Sequence, residues 1–274
     1  MNNLAQRAIT GLILTAIIIA AISLSVYSFI LLMLVINVLT LLEFYRLFQT
    51  VGLLPRKTAG ILLSICIVIS YTLVISGLLE GKAILINIPF AFSIFVFELY
   101  SKATNPFVNL AFTFLGVFSI TIPYCFFISI AFWPVSSGIY DYKMVLGYFF
   151  ILWASDTCAY FVGKYIGSHH LFERISPKKT WEGSLGGMVG AVIVAYVVSY
   201  FFKDIYMIHW IAIALIIVVF GSYGDLIKSL MKRSLNLKDS GTILPGHGGM
   251  LDRFDSLLGS APFVFSYLML CSHE

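Results

Sequence analysis

Residues 207–227 read MIHWIAIALIIVVFGSYGDLI. A helix through this run rises 1.5 Å per residue and covers about 30 Å, the thickness of a bilayer's hydrocarbon core. The run therefore predicts a membrane-spanning helix, and it closes on an acid, Asp225. A carboxylate at that depth is costly unless it faces a water-filled cavity, a cation or a basic partner.

Working outward, eight more runs meet the same length and polarity requirement: 8–24, 27–48, 59–79, 83–99, 107–133, 144–167, 184–202 and 256–271. Composition agrees. Of 274 residues 60% are hydrophobic and only 11% charged, less than half of the roughly 25% usual in a soluble domain. The first run leads into further spans rather than to a small-residue cleavage site, so no cleavable signal peptide is expected. The fold class expected is all-α, a polytopic transmembrane protein of about nine spans.

Orientation follows from Lys and Arg, which are retained in cytoplasmic loops. Nine spans with a cytoplasmic N-terminus place 14 of the 17 basic residues on one side; only Lys82, Lys143 and Lys203 fall on the other. The C-terminus is then external. The expected location is a cell membrane of bacterial plasma-membrane type, with the polar loops in the cytoplasm. One membrane domain over 1–274 is expected, with scaffold spans in 1–140 and the active site carried by spans and loops of 141–274.

Two long polar segments, 164–183 and 228–255, carry the chemistry. The second contains SLMKRSLNLKDSGTILPGHGGMLDRFD, from Ser229 to Asp255. Retention of positive charge explains its lysines but not Asp239, Asp252 and Asp255. Nor does it explain the glycines around His247, a backbone suited to close approach to a ligand. If the eighth helix continues, Ser222, Asp225, Ser229, Lys232 and Arg233 form one polar stripe. The alternative for Asp225 is a salt bridge to Lys228 or Lys232.

In the sixth span Asp156, Tyr160 and Lys164 follow at four-residue spacing, so one face is polar from the midplane to the inner surface. Downstream, Lys178 and Lys179 beside Thr180 suit phosphate oxygens, although anionic headgroups would attract them too. Gly183, Gly186, Gly187 and Gly190 read as close helix packing. Cys66, Cys125, Cys158 and Cys271 lie in apolar runs without CxxC spacing, which argues against zinc or disulfides. No P-loop, HExxH or GxSxG pattern occurs. Several acids, several cations and a glycine-rich backbone together point to metal-assisted phosphoryl or nucleotidyl transfer.

The segment 229–255 resembles the signature of the CDP-diacylglycerol synthases (phosphatidate cytidylyltransferases). The matching positions are Ser229, Lys232, Arg233, Lys238, Asp239, Gly241, Pro245, His247, Gly248, Gly249, Asp252, Arg253 and Asp255. Asp156–Tyr160 and Ser176–Gly183 also look like stretches of that family. The resemblance implies transfer from CTP to phosphatidate with Mg²⁺, with a second cation left open. It implies membrane lipids as surroundings, no nucleic-acid partner, and an oligomeric state left open. It suggests Asp225, Asp252 and Asp255 as metal ligands. Lys232, Arg233, Lys238 and Arg253 would hold the triphosphate, and the turn of His247, Gly248 and Gly249 would approach phosphate. Ser229 and Asp239 belong to the same substrate set, and Lys178, Lys179 and Thr180 would receive the lipid phosphate. Two other readings compete. One is a CTP-dependent lipid-alcohol kinase using Asp156 as base; the other is an ion-coupled transporter.

Overall fold

The computed structural model describes residues 3–237, 240–241 and 248–271. Its helices are α1 (Asn3–Leu24), α2 (Val26–Gln49), α3 (Lys57–Ile75), α4 (Asn87–Leu99), α5 (Pro106–Gly116), α6 (Ile122–Ile130), α7 (Tyr142–Tyr165), α8 (Trp181–Phe201), α9 (Met207–Ser234) and α10 (Leu251–Cys271). Eight helical segments are long and apolar enough to cross a membrane, and a shorter apolar stretch, Ile9–Leu24, lies within α1. The protein is an all-α polytopic membrane protein. Several boundaries shift from those expected. A 3₁₀ turn over Gly81–Ile86 runs into α4, and a π turn over Val117–Thr121 joins α5 to α6. Pro123 lies just beyond the π turn, and it has no N–H for a carbonyl one turn back.

Two compact units make up the chain: residues 1–140 with 239–253, and residues 141–238 with 254–274. In the first, Leu63, Ile94, Leu110 and Val117 form an apolar cluster. A polar group on α2 sits inside the same unit: Asn37 Nδ2 donates to Ser64 Oγ (2.5 Å), and Thr121 Oγ1 donates to the same oxygen (3.0 Å).

In the second unit the glycines of α8 serve close packing, as their spacing predicts. A Cβ added at Gly183 would come within 2.9 Å of the Ala159 carbonyl of α7, and one at Gly187 within 2.9 Å of the Ser155 carbonyl. The small residues let two backbones approach where lipid supplies no driving force for association. Trp210 of α9 is fully buried over Gly147 of α7. The rings of Phe220 and Phe263 stack with centroids 3.6 Å apart.

The polar segment 164–183, expected as a loop, contains a two-stranded antiparallel hairpin, β1 (His170–Phe172) and β2 (Ser176–Thr180). Its pairing is His170 with Thr180 and Phe172 with Ser176, with one irregularity between them. Neither strand alternates apolar and polar residues, so nothing in the sequence announced it. The last strand residue is also a helix cap, because Thr180 Oγ1 accepts from the Gly183 N–H (3.1 Å). Glu182, in the first turn of α8, accepts from the Ser168 and His169 N–H groups (3.1 and 3.2 Å) and pairs with His169 Nδ1 (2.5 Å). Hairpin and helix start are thus tied at both ends.

Candidate active site

The helix after residue 207 does continue, to Ser234. Ser229 Oγ donates to Asp225 Oδ1 (3.2 Å), one turn apart on α9. The ion pair of Asp225 comes from the hairpin: Lys179 Nζ lies 2.5 Å from its Oδ2. The alternative of a salt bridge within α9 is therefore replaced by one between α9 and β2. The Asp225 carboxyl is also within hydrogen-bonding reach of Asp255. Asp255 belongs to the first turns of α10, not to a loop, and is buried; its Oδ1 accepts from the Ser256 N–H (2.7 Å). Lys228, read in the sequence as one more retained positive charge, is buried within electrostatic range of Asp255.

Of these groups, Asp225 and Lys179 border a cavity of about 640 Å³. Asp156, Tyr160 and Lys164 form one wall along α7, Lys178 and Lys179 come from β2, and Asp225 from α9. Asp156 is exposed in this space. The polar face of the sixth span is therefore a cavity lining. Thr180 lines the cavity as well while capping α8. Lys232 is buried. Arg233 is exposed and donates through Nη1 to the Leu237 carbonyl (3.1 Å), at the end of its own helix.

Asp252 is held differently, within the first unit. Its Oδ2 accepts from the Ser240 N–H (2.9 Å), the Ser240 hydroxyl (2.9 Å) and the Gly249 N–H (3.4 Å). The Gly249 N–H, expected to face phosphate, thus points at a carboxylate. Gly248 has φ +82°, a conformation that glycine adopts without strain. Arg253 is exposed. Lys238, Asp239 and His247 lie outside the described residues. Glu43 of α2, in a span read as scaffold, is buried and accepts from the Leu251 N–H (2.9 Å) and the Ser240 hydroxyl (3.3 Å). The sequence did carry a sign of it, since an acid inside an apolar run is a functional candidate by default.

Among the described residues no three His, Cys, Asp or Glu side chains converge as a metal cluster. The pair Asp225–Asp255 nevertheless fits Mg²⁺. Two facing carboxyls repel unless a proton or a cation lies between them. Their oxygens are hard donors, and Mg²⁺ is commonly held by one or two carboxylates together with waters and substrate phosphates.

Fold and site define an integral membrane protein with a cavity onto which the carboxyls of Asp156 and Asp225 and the lysines Lys164, Lys178 and Lys179 open. A model of the cytidylyltransferase family matches residues 5–271, and the chain belongs to that family. It is 40% identical over 179 residues to the phosphatidate cytidylyltransferase of Staphylococcus aureus strain COL, covering 65% of this chain and 66% of that protein. It is 47% identical over 123 residues to the phosphatidate cytidylyltransferase of Bacillus subtilis strain 168, covering 44% and 46%. A Staphylococcus haemolyticus protein of the same name is 37% identical over 179 residues, covering 65% and 66%. The chain thus spans just under two thirds of the staphylococcal relatives and just under half of the Bacillus one. The family agrees with the resemblance read from residues 229–255.

Proposed function

We propose that the chain transfers the cytidylyl group of CTP to phosphatidate, giving CDP-diacylglycerol and pyrophosphate. One observation carries this reading: a single side chain, Asp225, meets a second carboxyl, Asp255, and a lysine, Lys179, beside a cavity. That grouping suits bringing one anionic phosphate to another.

A phosphatidate oxygen attacks the α-phosphorus of CTP, and the bond from that phosphorus to the β-phosphate oxygen breaks as pyrophosphate leaves. The second pKa of a phosphate monoester is about 6, so the nucleophile is largely dianionic at neutral pH and needs no strong base. The barrier is then charge repulsion. Asp225 and Asp255 would hold Mg²⁺, which supplies positive charge at the phosphate oxygens. Lys179 and Lys178 would neutralise and orient a phosphate at the cavity wall. Asp252, a position of the signature segment, would be a further carboxylate of the reaction, while Lys228 would balance the buried Asp255 carboxyl.

The active site would face the cytoplasm, on the side that retains Lys and Arg. A reporter in the loop near Asn236 should read as cytoplasmic and one after Glu274 as external; both on one side would break this topology. The chemistry is tested on the purified protein with labelled CTP and phosphatidate, following both products together. Liponucleotide and pyrophosphate in equal amounts are expected. Formation of CDP and a phosphorylated lipid alcohol would instead favour the kinase reading.

A further inference from the structure

We propose that Glu43 is a positioning residue, the buried anchor that fixes Ser240 and the start of α10, where Asp252 lies. The proposal rests on the functional reading above for its catalytic consequence, but not for its geometry. Glu43 lies in α2 and is 1% exposed. Its Oε2 accepts from the Leu251 N–H (2.9 Å) and from the Ser240 hydroxyl (3.3 Å), and the first of these contacts joins residues 208 apart in sequence. Ser240 in turn donates its N–H to Asp252 Oδ2 (2.9 Å), and its hydroxyl, with one hydrogen shared between the two acids, lies 2.9 Å from the same oxygen. Ser240 therefore bridges two carboxylates, one buried in a helix of the first half of the chain and one at the start of α10.

The glycines explain how the backbone reaches this acid. A Cβ at Gly241 would lie 2.7 Å from Glu43 Oε1, and one at Gly249 would lie 2.6 Å from Glu43 Oε2. Neither position tolerates a side chain without moving the carboxylate. Both glycines belong to the signature segment, and here they serve close approach to Glu43 rather than to a ligand.

A buried acid is an expensive way to hold a loop. Glu43 Oε1 meets no hydrogen-bond donor among the described residues, and unsatisfied buried oxygens are rare without a specific reason. An ordinary amide or hydroxyl would accept the same two donors. A carboxyl instead offers a stronger acceptor than a neutral group, and here it ties α2 both to Ser240 and to the first residue of α10. Groups that orient a reacting carboxylate in this way set its aim rather than take part in the reaction.

The test compares Glu43→Ala, Glu43→Gln and Ser240→Ala with the unaltered protein, each purified and measured per folded molecule. Turnover with CTP and phosphatidate is read as separate kcat and KM values, and amide exchange is read at Ser240 and Leu251. Glu43→Ala should lower kcat about 10- to 100-fold, as loss of an outer-shell partner typically does, with KM for phosphatidate nearly unchanged. Exchange at Leu251 should rise in the same variant. Glu43→Gln should recover part of the turnover, because its amide oxygen still accepts from the Leu251 N–H. Unchanged kcat in Glu43→Ala would overturn the proposal, as would unchanged exchange at Leu251. Should Glu43→Ala fail to fold, the other two variants decide: lowered kcat supports the anchor, and normal kcat overturns it. If the unaltered protein makes no liponucleotide, the functional reading fails, while exchange at Leu251 still tests the anchor.

Discussion

The two units hold their acids in opposite ways. In the first, the described donors to Glu43 and Asp252 are neutral: the N–H groups of Ser240, Gly249 and Leu251 and the Ser240 hydroxyl. In the second, Asp225 and Asp255 face each other, with Lys179 paired to one and Lys228 near the other. Neutral hydrogen bonds fix direction without changing the total charge. Lysines fix charge balance, and that balance must alter whenever phosphates arrive or leave. The first arrangement suits aiming a group, the second suits handling anions.

The largest expected effect separates charge from size. Asp225→Asn and Asp255→Asn keep the shape and remove the negative charge, so each should cut turnover roughly 10²- to 10³-fold, matching several kcal/mol of lost transition-state stabilisation. A chelator should silence the unaltered protein equally, and added Mg²⁺ should restore it. Near-normal turnover in either variant would remove that residue from the metal. Asp252→Asn should fall as far, but it alone should also raise amide exchange at Ser240 and Gly249. If exchange there stays unchanged, neutral donors are not what holds the turn.

A smaller effect is expected from the lysines. Lys179→Met should lower kcat/KM about 10- to 100-fold, from a charged hydrogen bond worth roughly 1.5–3 kcal/mol. Lys178→Ala, without the Asp225 pairing, should lose less. Equal losses would show that the ion pair with Asp225 contributes nothing beyond general attraction. The smallest effect concerns stability alone. Tyr148 Oη and Ser260 Oγ hydrogen-bond at 2.6 Å within the second unit, and Ser260 also donates to the Ser256 carbonyl (2.6 Å). Tyr148→Phe therefore orphans no buried hydroxyl and should cost about 0.5–1.5 kcal/mol, read as a small drop in melting temperature with turnover kept.

Much of this is legible in the amino-acid sequence alone. Long apolar runs declare membrane helices by length alone, and the polar stripe from Ser222 to Arg233 follows from helical spacing once α9 is extended. The stripe of Asp156, Tyr160 and Lys164 was legible for the same reason. What spacing cannot supply is contact between distant segments. The pairing of Asp225 with Lys179 requires a hairpin whose strands, HLF and SPKKT, carry no alternation. Asp255 looked like the end of a loop because α10 begins at Leu251, earlier than its apolar run suggests. Glu43 was overlooked because 27–48 reads as an ordinary span, and its partners lie at the other end of the chain.

The length of α9 has a consequence for where chemistry can happen. Its 28 residues extend about 42 Å, against about 30 Å of hydrocarbon. The part from Met207 to Phe220 is apolar apart from His209, so the surplus falls at the end bearing Asp225, Lys228, Lys232 and Arg233. Counted from Met207, about 30 Å of hydrocarbon would end near Leu226, so Asp225 would lie just inside that boundary and Lys228, Lys232 and Arg233 beyond it, toward the phospholipid headgroups. A lipid substrate would meet them by sideways diffusion within its own leaflet, its acyl chains never leaving oil, and only the water-soluble nucleotide would have to travel to the interface.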